Sequence, residues 1–465
     1  MQFAIPFVLV ITALVGCAPP ELQSAGTSGN ETTTGESHEI AAGEYNWPRF
    51  LGEGFDGTGV LDGLKLDLSA APTALWQLSV GEGYGLGCVN DGKYYQLDAV
   101  AASERLRCVS LRDASEIWSV SRPMRYRDLY DYESGPRTTP AIDGEVIVTY
   151  GVDGALVARE LQKGTVLWEV DTATEYGVIQ NFFGVGSSPL IVGQQVIVSV
   201  GGSPAEDQAI APGRLNRVTD NGTAVVSFDL KTGKENWRCG NDLASYSSPR
   251  LMTVNERNIV LLYARDHLLA IDPEAGRVLW KYRHRAKILE SVNAMMPVVD
   301  GDKIFISECY QLGSALLSAD ASAVQEVWKD PENRRKQVMR CHWSTPILIN
   351  GMLYGCSGRN NPDSSLRCID FQTGDLKWSD DRQIRTSMVR AGDALIVLDE
   401  RGRMQMIDPN PEKLTVIAEH DFSNLLTSPC WAAPVLVGNR LIVRGDEQVV
   451  CFTLAAEAVS PRPRP

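Results

Sequence analysis

A spaced signature recurs along the chain: a small residue, an apolar residue and an acid, then a three-residue gap, Gly, a second three-residue gap and Trp. It reads Ser227-Phe228-Asp229 with Gly233 and Trp237, Ala270-Ile271-Asp272 with Gly276 and Trp280, and Cys368-Ile369-Asp370 with Gly374 and Trp378. A looser copy is Ala158-Arg159-Glu160 with Gly164 and Trp168, and a more worn one is Cys108-Val109-Ser110 with Ala114 and Trp118. A fixed internal spacing returning at intervals of about 40 to 70 residues marks a modular array.

The spacing has a physical reading. The acid at the end of a strand accepts from turn amides, Gly supplies the positive φ of the turn, and the returning strand carries Trp into the layer between modules. A front half precedes each copy: Thr139-Pro140 with Gly144, Ser188-Pro189 with Gly193, Met296-Pro297 with Gly301, and Ala433-Pro434 with Gly438. Apolar runs such as Val146-Ile147-Val148 and Ile304-Phe305-Ile306 follow. Two hairpins per module make a four-stranded antiparallel β-propeller blade.

Blades one to six end at Trp118, Trp168, Trp237, Trp280, Trp328 and Trp378, which are the expected docking residues between blades. Blade seven, from Ser387 through Asp408, lacks the turn Gly and the Trp, and the last blade stops three strands in at Cys451-Phe452-Thr453-Leu454. Leu75-Trp76 reads as an orphaned blade ending, so an N-terminal strand near Trp76 closes the ring and removes its open edges. The expectation is an all-β, eight-bladed propeller, with seven blades as the runner-up. A single ring of about 400 residues accommodates most of the 465-residue chain.

The ends differ in kind. Residues 1–17 read as a lipoprotein-type signal peptide, with an apolar stretch from Phe3 to Val15 and Cys17 as the lipidation residue, although no Lys or Arg precedes that stretch. Residues 18–44, rich in Ser, Thr, Gly and Glu, read as a flexible tether, 45–455 as the propeller, and 456–465 as a disordered tail. The net charge of −14 argues against a nucleic-acid partner. Of ten cysteines, nine remain beside Cys17. Cys108, Cys368 and Cys451 fall in the slot held elsewhere by Ala158, Ser227, Ala270 and Ser318, so they read as small packing residues. Cys88 falls where other blades have Pro. Cys341-His342-Trp343 has no further His or Cys at ligand spacing, and no metal site is expected there.

The repeated acid, Gly and Trp resemble the tryptophan-docking repeat of the pyrroloquinoline quinone (PQQ)-like propellers. That family includes the quinoprotein alcohol dehydrogenases and non-enzymatic relatives such as the propeller lipoprotein of the outer-membrane protein assembly machine. Trp47-Pro48-Arg49-Phe50-Leu51-Gly52, with Gly54 and Gly57, is also similar to the start of PQQ-like propellers abundant in planctomycetes. The resemblance spans roughly Tyr45 to Leu454. It implies, for the dehydrogenases, an adjacent Cys pair over the quinone, a calcium ion and an Asp base. No two cysteines are adjacent here, no motif marks Asp266, Glu290 or Glu308 as such ligands, and there is no C-x-x-C-H haem site.

Function is therefore expected in the unequal loops that lead from each Trp strand to the next Ser/Thr-Pro. Arginines and aromatics interleave there: Arg122, Arg125, Tyr126, Arg127, Tyr130, Tyr132 and Arg137 after blade one, then Tyr176, Asn181, Phe182 and Phe183 after blade two. Arg283, His284, Arg285 and Lys287 follow blade four, and Arg334, Arg335, Lys336, Arg340, His342 and Trp343 follow blade five. Such a mixture suits an anionic or sugar ligand through charge-assisted bonds and stacking, and equally suits a salt-bridged surface. The reading is an exported, membrane-tethered, non-catalytic propeller of the cell envelope, monomeric, held by a lipid anchor only, and binding a protein partner or an envelope polysaccharide. No cofactor is expected. The alternative is a PQQ-dependent oxidoreductase with calcium.

Overall fold

The computed structural model describes residues 45–61 and 63–458. Cys17, the 1–17 signal peptide, the 18–44 tether and residues 459–465 of the tail lie outside the described residues. Eight four-stranded antiparallel sheets form the ring, seven of them made of consecutive strands in the segments 88–123, 141–171, 190–239, 250–283, 298–329, 347–380 and 386–421. The eighth takes three strands from 435–453 and its outermost from Thr73–Ser79, with Trp76 opposite Cys451. The N-terminal strand thus closes the ring. A further two-stranded ribbon pairs Leu64–Asp67 with Ala455–Ala458, so ordered chain extends past the expected boundary at 455. Among the described residues no helix is long and apolar enough to cross a membrane.

The docking rule has a definite atomic form. Except at Trp118, whose buried Nε1 has no partner among the described residues, the indole Nε1 of the docking Trp donates to a carbonyl in the turn of the next blade: Trp76 to Leu111 at 2.8 Å, Trp168 to Leu230 at 2.9 Å, Trp280 to Asp320 at 2.7 Å, Trp328 to Phe371 at 3.1 Å and Trp378 to Asn410 at 2.8 Å. Trp237 follows suit with Pro273 at 3.0 Å. The acid closes that turn, as when Asp272 Oδ1 accepts from the amides of Glu274 and Ala275. Gly serves two ends. Gly276 has φ +61°, and a Cβ there would stand 2.3 Å from Cγ of Trp237, so the preceding blade's indole occupies the space a side chain would need.

A one-residue bulge sits beside the Trp in each outer hairpin and sets which residue faces it. Cys108, Ala158, Ser227, Ala270 and Cys368 face Trp118, Trp168, Trp237, Trp280 and Trp378. Blade five departs from the expectation: Leu316, not Ser318, lies opposite Trp328, because its turn hairpin pairs two residues further before the bulge. All nine cysteines in the described residues are free thiols, with Cys88, Cys108, Cys368 and Cys451 fully buried.

The segment from Trp47 to Val60 runs across the inner strands at one end of the ring. Trp47 pairs with Val89 of blade one, Pro48 accepts from Ile142 of blade two, Thr58 bridges Arg390 of blade seven and Val60 bridges Val437 of blade eight. Leu51 and Phe55 pack with Leu190, Val260 and Met296 of blades three to five. Arg250 lies over the Phe55 ring at 5.5 Å and donates to its carbonyl. This segment plugs the axial channel, so the space beyond it is a recess with one mouth.

Candidate functional site

Each blade begins with a loop whose last residues reach the axis. The Ser/Thr before the Pro has a structural task, because its hydroxyl accepts from the matching amide of the preceding blade: Ser188 from Thr139 at 2.9 Å, Ser248 from Ser188 at 2.9 Å, Thr345 from Met296 at 3.0 Å. With those residues locked, the position three before the Pro is aimed into the recess. It is Arg137, Gly186, Tyr246, Ala294, Trp343 and Trp431 ahead of Pro140, Pro189, Pro249, Pro297, Pro346 and Pro434, and Arg385 ahead of Met388, which stands in the Pro slot. These residues line an axial cavity of about 280 Å³ with Phe50 and Leu51 of the plug among its walls.

Aromatic rings dominate the mouth. Trp431 contacts Tyr84 at 4.8 Å, Trp343 at 5.4 Å and Tyr132 at 6.1 Å between centroids, and Phe183 meets Tyr246 at 5.7 Å. His342 is edge-on to Trp343 and shares a 3.2 Å hydrogen bond between its Nε2 and the Tyr310 hydroxyl. Burial first, then Arg359 and Arg385, lower the His342 pKa to about 3, so the ring is neutral at neutral pH.

Three arginines reach this cavity with different commitments. Arg385 stacks on Trp431 at 4.8 Å and Trp343 at 5.1 Å and is ion-paired to Glu400. Arg137 lies over Tyr84 at 5.3 Å, pairs with Asp128 at 2.9 Å and donates to the carbonyls of Gly135 and Glu133. Arg359 lies over the Tyr310 ring at 5.1 Å, and among the described residues it makes no hydrogen bond or ion pair. It is the cation left to meet a ligand. On the outer side of Tyr132 and Trp431, Glu133 lies near Asp446, and its pKa is raised to about 7, by burial first and then by the Asp446 charge.

The expected site residues separate into groups. His342 and Trp343 are in the axial cavity. Tyr130 is half exposed at its edge against Phe182 and Phe183. Arg125 and Tyr126 line a second cavity, and Arg127 is exposed. Arg283 pairs with Asp266, while Arg285 donates to the carbonyls of Ser291 and Ile288, which makes it a loop clamp. His284 is buried and bonded to the Tyr263 hydroxyl. Arg334 and Arg340 both hold Asp363, and Arg335 is exposed. Tyr84, Tyr246, Tyr310, Arg359, Arg385 and Trp431 belong to the cavity and were not among the expected site residues; the register of the Pro slot was the signal for Tyr246, Arg385 and Trp431.

Comparison with known proteins places this geometry among relatives. The family described as outer membrane protein assembly factor BamB matches residues 68–206 and 102–360. An uncharacterised protein of Rickettsia prowazekii is 19% identical over 294 residues, 61% of this chain and 62% of that protein, so the chain spans less than two thirds of that relative's length. The crystal structure of BamB from Moraxella catarrhalis superposes with a TM-score of 0.55 at 16% identity, covering 83% of this chain and 98% of that one. A europium-containing methanol dehydrogenase superposes with a TM-score of 0.62 at 12% identity, covering 88% and 98%. At these identities the structural likeness is one of fold.

Proposed function

Since the chain belongs to the PQQ-like propeller family described by the outer membrane protein assembly factor BamB, we propose that it is a non-catalytic envelope propeller that holds a protein partner at its axial mouth. The observation that carries this reading is the blind recess itself: closed behind by Phe50 and Leu51, walled by Trp343, Trp431, Tyr84 and Phe183, with the unpaired, exposed Arg359 at its edge. Aromatic anchors around one available cation suit a partner segment that inserts an apolar side chain beside a carboxylate. Export and anchoring through Cys17 are part of the same proposal and put the mouth in the envelope.

The test is a photo-crosslinking residue in place of Tyr132 in the producing cell. A reproducible adduct to one partner, lost when Arg359→Ala is added and absent when the crosslinker replaces exposed Lys163 on the outer rim, supports the reading; an adduct pattern shared by both positions overturns it.

The dehydrogenase reading has the higher fold similarity in its favour. The family resemblance implies a quinone beside a calcium ion, and the side chains here do not fit such an ion. The carboxylates that approach the cavity arginines, Asp128 and Glu400, are taken up by Arg137 and Arg385, and no three His, Cys, Asp or Glu side chains among the described residues form a ligand set. A bound-quinone spectrum with alcohol-dependent dye reduction, after addition of PQQ and Ca²⁺, is the result that would reinstate it.

A further inference from the structure

The axial recess is closed behind and open in front, and that asymmetry restricts how a chain can occupy it. Phe50 and Leu51 of the plug stand among its walls, so whatever enters leaves by the same mouth. At about 280 Å³ it is smaller than the roughly 300–1,000 Å³ of sites that take a whole drug-sized ligand. A backbone that ran in and out again would make two passes about 4.8 Å apart, each burying peptide groups that require hydrogen-bond partners. The recess therefore admits one large side chain.

Its walls say which kind. Tyr84, Phe183, Tyr246, Tyr310, Trp343 and Trp431 line the space, and each is only partly buried, so the rings keep surface for an incoming group. An aromatic side chain matches such a lining through tilted ring contacts.

Charge fixes the rest. Of the three arginines on the wall, Arg137 is held by Asp128 and Arg385 by Glu400, while the nearby His342 is neutral. Arg359, exposed at the edge over the Tyr310 ring, is the one without an ion-pair partner among the described residues. Past Tyr84, Tyr132 and Trp431 the mouth continues into a groove where Asp131, Glu133, Glu400 and Asp446 outnumber Arg385 and Arg401. A carboxylate is thus drawn to Arg359 and turned away from the groove. In an extended segment the next side chain points to the opposite face, and the one after it lies about 7 Å further along. A ring in the recess and a carboxylate at its edge are most directly supplied by a single residue, the last of a chain, whose terminal carboxylate sits on the same Cα as its side chain. Resting on the partner reading above, we infer that the recess captures the C-terminus of its partner, with an aromatic last side chain among the rings and the terminal carboxylate on Arg359.

Titration calorimetry of the full chain with three peptides tests it: N-acetyl-Ala-Ala-Phe with a free C-terminal carboxylate, the same peptide as its C-terminal amide, and N-acetyl-Ala-Ala-Phe-Ala-Ala amide, in which Phe is internal. Saturable binding of the free acid is expected, at least about tenfold tighter than either of the others. Arg359→Ala should bring the acid down to the affinity of the amide without changing the amide, and Arg359→Lys should keep part of the difference. The inference is overturned if the amide or the internal-Phe peptide binds as tightly as the acid, if the preference for the acid survives Arg359→Ala, or if no peptide saturates. These peptides stand in for the cellular partner, so the outcome is read separately from the Tyr132 crosslink: an adduct in cells together with equal binding of acid and amide keeps a partner at the mouth and removes the terminus.

Discussion

The joint between blades two and three and the joint between blades seven and eight solve one packing problem with different side chains. At the first, Trp168 faces the small Ala158 within its own hairpin, bonds to the Leu230 carbonyl and lies 6.4 Å from Phe228 of the next blade. At the second, the large and small positions are exchanged: Met406 occupies the inner slot and Ala418 stands where Trp would. Phe422, just beyond that strand, takes over the contact to Phe452, the counterpart of Phe228, at 4.6 Å. The difference teaches that the ring conserves the volume between blades, and that the indole hydrogen bond adds to a joint without being indispensable to it.

That comparison can be broken at several points. The largest expected effect is at the standard joint, where Trp168→Ala should lower unfolding stability by roughly 3–5 kcal/mol in urea titration, clearly more than Phe422→Ala at the variant joint. Next, Met406→Ala should cost about 2–4 kcal/mol, and adding Ala418→Trp should recover part of it if the two positions trade volume. A double variant no more stable than the single one would show that the exchanged register cannot accept an indole.

Gly276→Ala should cost roughly 1–3 kcal/mol, from the positive φ together with the clash against Trp237. A smaller effect is expected across the closing seam, where Glu133 of the loop after blade one meets Asp446 of blade eight. Burial raises the folded-state pKa of Glu133 to about 7, and Asp446 is raised as well. The folded protein therefore keeps a proton that the unfolded chain releases, so stability should fall as pH rises from the ordinary carboxylate range to about 7 and then level off. Glu133→Gln should flatten that fall in denaturant midpoints measured across the range. Smallest of all, Arg359→Ala should leave stability within about 0.5 kcal/mol, because this arginine belongs to neither joint.

Much of the fold was legible because each constraint acts within one hairpin. The acid, Gly and Trp spacing reports a turn, a positive φ and a docking ring, all local, and the orphaned Trp76 announced the closing strand. Blade five shows the limit: the bulge lies two residues further from the turn, which put Leu316 in place of Ser318, and spacing alone does not reveal where a bulge falls. The site was partly legible through His342 and Trp343. Trp431, Tyr246 and Arg385 were recoverable from the Pro register, whereas Arg359 sits in an irregular loop of blade six whose path to the axis no periodicity encodes.

By itself the sequence determined the four-stranded blade, most of the joints and the closure of the ring, and it favoured eight blades over seven, since repeated short-range patterns are all that such packing needs. Only the tertiary structure decided that the segment after Tyr45 plugs the axis and that arginines and rings from separate blades share one blind recess. Those juxtapositions depend on side chains brought together by ring closure across long separations, and no local spacing carries that information.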